Sequence, residues 1–170
     1  MSMLEDLYQR VAACTGCELH RSRTQAVPGE GAEDAEILFI GEGPGYHEDQ
    51  QGRPFVGPSG QLLEKWLALI GLTRDQVYIA NVVKCRPPEN RDPLPEEVAA
   101  CRHFLDEQIE RIDPRVIATL GRHSMERYFP GAKISQVHGR ARREGRRVYI
   151  PLFHPAYILR NGSAGPAAEA

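Results

Sequence analysis

The stretch ILFIGEGPGYHEDQQGRPFVGPSGQ, residues 37–61, decides how the chain reads. An apolar run leads into three glycines and a proline, then acids, then Phe55 between a proline and a valine. A short apolar run bounded by turn residues reads as a buried strand, and the glycines with Pro44 end it in a tight turn. Such a turn exposes backbone N–H groups that suit a small, flat, polar ligand. Two nucleotide signatures fail here. The dinucleotide pattern G-x-G-x-x-G has Gly41 and Gly43 but Tyr46 in third place, and no G-K-[ST] closes the loop. By position alone Phe55 reads as core, the commoner fate of phenylalanine. Held in a rigid, glycine-flanked loop, it is also suited to stacking on a flat ring.

Outward from this loop, strands and helices alternate. Residues 3–12 predict a short helix and 36–40 the strand that enters the loop. SGQLLEKWLALIG carries apolar residues at 62, 63, 66, 67 and 70, an amphipathic stripe with Ser59 as N-cap and Gly71 as stop. VYIANVV (77–83), RVIATL (115–120) and RVYIPLF (147–153) predict further strands, the last running into His154. CRPPENRDPLP is a proline-rich loop. The helix at 95–112 begins with Pro95 and acids, as a first turn favours, and GRHSMERYF predicts a shorter helix. This alternation predicts an α/β fold with a parallel sheet covered on both faces. Ligands of such sheets bind beyond the carboxyl ends of the strands. GEGPG, Asn81 and HPAYILR all fall at those ends.

The chain has 170 residues, enough for one domain over 1–161 with a core of its own, and a small-residue tail at 162–170 reads as disordered. Its 41% hydrophobic and 26% charged residues fit a globular protein. No apolar run approaches the roughly 20 residues that cross a bilayer, and the acidic N-terminus is not a signal peptide, so a cytoplasmic monomer is expected. A net charge of −2 excludes a global pull toward nucleic acid. Locally, GRARREGRR (139–147) holds five arginines, which fits either a solvated hairpin or phosphate contacts. Cys14 and Cys17 form C-x₂-C, with Cys85 and Cys101 far downstream. Four thiolates can hold zinc or an iron–sulfur cluster, and spacing does not choose between them. The pair does not open a helix after a strand, which argues against a thioredoxin-like redox site.

GEGPGYHEDQQGRPFVGPSGQLL, NVVKCRPPENR and FHPAYILRN, together with the four cysteines, resemble the family 4 uracil-DNA glycosylases, the iron–sulfur branch of that superfamily. The resemblance runs from about Cys14 to Asn161. It implies a three-layer α/β/α sandwich around a four-stranded parallel sheet. It also implies a 4Fe-4S cluster on Cys14, Cys17, Cys85 and Cys101, structural in role. The implied reaction is hydrolysis of the bond between uracil and deoxyribose in single- or double-stranded DNA, on a base flipped from the stack, as the first step of base excision repair. Phe55 would stack on uracil and Asn81 would read its edge, accepting from N3–H and donating to O4. Gly43 and neighbouring amides would complete the pocket. His154, restrained by Pro155, would donate to uracil O2 and stabilise the leaving anion. Glu42, Glu48 and Asn90 are candidates to position water, and Glu48 also to exclude the thymine methyl. Tyr157, Ile158 and Leu159 would wedge into the stack, although Ile158 and Leu159 read equally as core, with Arg160 and the arginines from Arg140 to Arg147 on phosphates. The other five histidines read as structural.

The resemblance departs at two places. The family pattern continues with a further helix where this chain reaches Ala170, and His47 stands where acids are usual. A non-catalytic iron–sulfur DNA-binding module is the alternative. It predicts damage at His154, Asn81 or Phe55, and all three are intact. The related branch that cross-links to DNA through a histidine-bearing loop does not fit KCRPPENRDPLPEE, which has no histidine.

Overall fold

A computed structural model describes residues 3–161; the tail expected at 162–170 lies outside the described residues. Described strands are β1 (Glu30–Gly31), β2 (Ile37–Gly41), β3 (Tyr78–Asn81), β4 (Val116–Leu120), β5 (Arg142–Glu144) and β6 (Arg147–Leu152). Described helices are α1 (Glu5–Ala12), α2 (Tyr46–Gln51), α3 (Pro58–Leu69), α4 (Pro95–Ile112), α5 (Arg122–Glu126), α6 (Ile134–Val137) and α7 (Pro155–Arg160).

The sheet runs β1-β3-β2-β4-β6-β5. Its inner four strands, β3, β2, β4 and β6, are mutually parallel and are the four that the sequence predicts. Six strands replace the expected four because two short antiparallel strands frame them: β1 on β3 and β5 on β6. The added pair carries little apolar pattern, although β5 with β6 forms the solvated hairpin that GRARREGRR allowed. β1 is two residues long, and β5 is Arg-Arg-Glu, exposed throughout.

Alternation sends strand residues to opposite faces. Leu38, Ile40, Tyr78, Ala80 and Ile117 bury against Leu7 and Val11 of α1 and Leu105 and Ile109 of α4. Phe39, Ile79 and Ala118 bury with Leu63 and Leu67 of α3 on the other face. Helix–sheet–helix layering follows. No described helix is long and apolar enough to cross a membrane.

Three boundaries differ from expectation. α3 starts at Pro58 with Gly57 as its N-cap rather than Ser59, and it ends before Ile70, which is exposed. α2 falls where the sequence suggests only loop. Glu48, its third residue, accepts from Gly45 N–H at 3.0 Å, and Gly52 closes it at φ 72°. β3 is shorter than 77–83, yet its pairing with β2 continues: Val82 N–H donates to Gly41 O at 3.0 Å and Val83 N–H to Glu42 O at 3.1 Å.

Candidate active site

The carboxyl ends of β2, β3 and β6 open on one cavity of about 400 Å³. Glu42, Gly43, Glu48, Phe55, Asn81, Asn90, His154 and Arg160 all line it. Eight sequence-predicted site residues, separated by up to 118 positions, therefore meet at one place.

Phe55 is both core and pocket wall: it is 5% exposed, packs with Leu63 and Leu67, and faces the cavity. Its backbone is left-handed at φ 51°, a conformation that needs external support in a non-glycine residue. Arg74 supplies part of it, donating to the Phe55 carbonyl and, at 2.5 Å, to the Pro54 carbonyl. Gly60 supplies another part. A methyl group there would lie 1.8 Å from the Phe55 carbonyl oxygen, so only glycine lets α3 pack on this turn. Gly41 does the same on the sheet side, where a methyl group would meet Asn81 Oδ1 at 2.5 Å and the Phe55 ring at 2.6 Å.

Glu48 ties the two loops together. Oε1 accepts from Gly45 N–H at 3.0 Å; Oε2 accepts from Val56 N–H and Gly57 N–H, both at 2.9 Å. Both oxygens of this carboxylate are thus engaged by the frame of the pocket.

Asn81 pairs in register with Gly41 and is 2% exposed. Its backbone carbonyl accepts from Lys84 Nζ at 2.9 Å, while its side-chain Oδ1 has no protein partner. A buried acceptor without a donor is costly. Asn81 is a lining residue of the cavity, so a ligand N–H is the candidate partner for it.

His154 has extended backbone (φ −68°, ψ 138°) before Pro155 and caps α7: Ala156 N–H donates to its Nδ1 at 3.0 Å. An Nδ1 that accepts carries no proton, so the neutral ring holds its hydrogen on Nε2. Burial, helped by Arg160 and opposed by Glu48, lowers the imidazole from 6.5 to about 4. The ring is neutral at physiological pH and stacks on Phe55 with centroids 5.5 Å apart.

A fourth strand end also contributes, and the sequence reading missed it. After β4, Gly121 leads into α5 and brings His123 beside Glu42. His123 Nε2 lies 3.7 Å from Glu42 Oε1 and 3.5 Å from Asp92 Oδ1. Burial raises the Glu42 carboxyl above its ordinary range, and His123 opposes that rise. Asp92 is pulled below its ordinary range: burial raises it, but His123 and Arg122 lower it further. His123 therefore sits against two carboxylates, a placement that the sequence reading did not foresee. Histidine three residues past a buried strand was the available signal. Arg91, also unforeseen, lines the cavity while holding Glu97 through two bonds of 2.8 and 2.9 Å. Asn90 stands at the rim with φ 57°, its Oδ1 held by Arg86 Nε at 2.8 Å.

On α7, Tyr157 and Leu159 are exposed while Ile158 is buried, so two of the three wedge candidates face solvent and Ile158 takes its other reading, as core. Tyr157 stacks on Phe153 at 4.9 Å, and Phe153 stacks on His138 at 4.4 Å. Arg140 is exposed on the turn before β5 and is not among the residues lining the cavity.

The four cysteines converge on a second cavity, which His20, Arg23 and Lys84 also line. Donors point at the sulfurs: Arg23 Nη1 to Cys85 Sγ at 3.0 Å, Lys84 N–H to Cys101 Sγ at 3.3 Å and Gly16 N–H to Cys14 Sγ at 3.4 Å. Burial pushes the Cys101 thiol up to about 11, against Lys84. Tetrahedral zinc with Zn–S near 2.3 Å holds its sulfurs about 3.8 Å apart. Among the described residues only Glu42, Asp92 and His123 bring three potential metal-ligand atoms within 4.8 Å of one another. The four cysteines line one cavity and are supplied with N–H and cationic donors, a donor set suited to thiolate-bound metal.

Residues 28–169 match the Uracil DNA glycosylase superfamily. The chain is 51% identical over 164 residues to the type-4 uracil-DNA glycosylase of Thermotoga maritima, covering 95% of this chain and 85% of that protein. It is 47% identical over 168 residues to the type-4 uracil-DNA glycosylase of Archaeoglobus fulgidus, covering 94% and 84%. A type-5 uracil-DNA glycosylase of Pyrobaculum aerophilum is 39% identical over 110 residues, covering 56% of this chain and 48% of that protein. By extent and by identity, the chain belongs to the uracil DNA glycosylase superfamily, in its type-4 branch.

Proposed function

We propose that this chain removes uracil from DNA by hydrolysing the N-glycosidic bond, the opening step of base excision repair. The observation that carries this reading is the pairing, in one cavity, of an unpartnered Asn81 Oδ1 with a neutral His154 whose only hydrogen is on Nε2. Uracil offers an N3–H donor to Asn81 Oδ1 and an O4 acceptor to its amide. Cytosine offers the reverse pattern and leaves the buried acceptor unmet, which is the kind of mismatch that separates substrates strongly.

In the proposed reaction the flipped base packs against Phe55. The bond from C1′ to N1 breaks with both electrons going to the base. His154 Nε2–H donates to O2 and steadies the anion, while the imidazole remains neutral throughout. Water adds its oxygen to C1′, and the proton it loses passes to Glu42 or to solvent. Glu42, at the cavity with its carboxyl raised by burial, is the better placed carboxylate for this. Glu48 is assigned instead to hold the pocket's frame. Gly43 and Asn90 line the same wall.

Cys14, Cys17, Cys85 and Cys101 would hold the cluster, read as 4Fe-4S. When bound, it supplies a cross-link among the N-terminal segment, the loop at 85 and α4. Tyr157 and Leu159 would fill the gap the base leaves. Arg160 and the arginines from Arg140 onward would contact phosphates, so DNA affinity should fall steeply with salt. The enzyme would act as a monomer.

The test is release of free uracil from single- and double-stranded oligonucleotides carrying one uracil, with cytosine and thymine controls. Uracil release that leaves an abasic site supports the reading. DNA binding without release, by protein with intact visible cluster absorption, overturns it in favour of a binding module.

A further inference from the structure

Lys84 is used by none of the chemistry above, yet among the described residues it is the single basic side chain that is fully buried, at 1% exposure. Its two ends touch two different sites. Its backbone N–H donates to Cys101 Sγ at 3.3 Å, inside the four-cysteine cavity. Its Nζ reaches back to the Asn81 carbonyl at 2.9 Å and to Gln108 Oε1 at 2.7 Å. Gln108, wholly buried, is itself fixed: Nε2 donates to Pro28 O at 2.7 Å and to the Tyr78 hydroxyl at 3.1 Å.

An ammonium group taken out of water needs compensation. Two neutral carbonyl oxygens accept from two of its three N–H groups but do not compensate its charge. A cluster held by four thiolates is net negative, and it would sit directly beside Lys84. The cation is therefore best accommodated when the cysteine cavity is filled. Its hydrogen bonds then fix the main chain of Asn81, whose Oδ1 is the unmet acceptor in the base pocket.

We propose that Lys84 is a positioning residue that couples the four-cysteine site to base reading, holding Asn81 in place through its carbonyl. The proposal rests on the glycosylase reading of Asn81. Coupling of this kind is reciprocal: the residue that steadies Asn81 also helps retain the cluster.

The test compares cluster-loaded wild type, Lys84→Met, Gln108→Met and Tyr78→Phe. Met keeps the apolar stem of Lys84 and removes the ammonium. Gln108→Met removes the second anchor without altering a neighbour of any cysteine. Tyr78→Phe loosens Gln108 while leaving Lys84 intact and controls for general destabilisation. Two readouts are taken: free-uracil binding by calorimetry, and decay of visible cluster absorption under chelator. The expected result is uracil binding weakened about tenfold or more in Lys84→Met, the worth of one hydrogen bond to a charged group, with faster cluster decay. Gln108→Met should reproduce the uracil effect, and Tyr78→Phe should not. Wild-type uracil binding in Lys84→Met, or equal weakening in Tyr78→Phe, overturns the coupling. Should Lys84→Met not fold, Gln108→Met with wild-type uracil binding overturns it as well. A wild type that binds uracil but never releases it would overturn the catalytic reading alone, because calorimetry still reports the coupling.

Discussion

Replacing Glu48 separates framing from chemistry. Three backbone N–H groups, from Gly45, Val56 and Gly57, end on its two oxygens at 2.9–3.0 Å. A hydrogen bond to a charged group is worth about 1.5–3 kcal/mol net when buried. These bonds are half-buried, so water recovers part of the loss, and Glu48→Ala should cost about 3 kcal/mol in all. Glu48→Gln keeps the two amides on one oxygen and turns its NH₂ toward Gly45 N–H, for a cost of about 1–2 kcal/mol. Against a total stability of about 5–15 kcal/mol, both proteins stay folded at 25 °C. The lost bonds all converge on the turn that keeps Phe55 at φ 51°, so the damage should be felt in uracil binding. Denaturant midpoints and calorimetry with free uracil read the two quantities. The graded order wild type, Gln, Ala is expected in both. If Glu48→Ala unfolds like the wild type, binds uracil like it, and loses only the rate of release, the carboxylate belongs to the chemistry and the framing role is wrong.

Three other outcomes follow from the geometry. The His154 imidazole should titrate near 4 by NMR and show the Nε2–H tautomer at neutral pH; a midpoint between 6 and 7 would remove the argument for a neutral donor. Because its folded-state pKa lies below its unfolded one, the unfolded chain takes the proton first as pH falls from 6.5 toward 4. The stability it contributes, about 3 kcal/mol, is present above that window and lost through it, as acid denaturation midpoints would show. Gly41→Ala should lower uracil affinity at least tenfold with little loss of fold, since the new methyl group displaces Asn81 Oδ1 and the Phe55 ring together; unchanged affinity would mean that neither contact shapes the pocket. His123→Ala removes the group that opposes the rise of the Glu42 carboxyl, so the acidic limb of the pH–rate profile should move to higher pH if ionised Glu42 accepts the water proton. An unmoved limb would exclude that role.

Much of this site was legible because strand ends are legible. Short apolar runs bounded by turn residues locate four parallel strands, and their carboxyl ends gather GEGPG, Asn81 and His154 without reference to any structure. The residues that escaped share a different property: their partners are remote in sequence. His123 gains meaning only from Glu42 and Asp92, and Arg74 only from the carbonyls of Pro54 and Phe55. Lys84 reads as a stray charge in an apolar stretch until Gln108 is brought against it. Glu48 is the opposite case. Its neighbourhood suggested chemistry, and only the three amide bonds disclose its frame-holding geometry. β1 escaped for want of pattern, being two residues long, whereas β5 was legible only as the solvated hairpin that GRARREGRR allowed.

The central claim is that the neutral His154 Nε2–H stabilises the departing uracil. It is tested most directly by single-turnover uracil release from a uracil-containing oligonucleotide, comparing wild type with His154→Ala at matched cluster content. The account predicts release by the wild type and a rate lower by about 10²–10³ in the variant, with free uracil still bound through Asn81 and Phe55. Equal rates would contradict it.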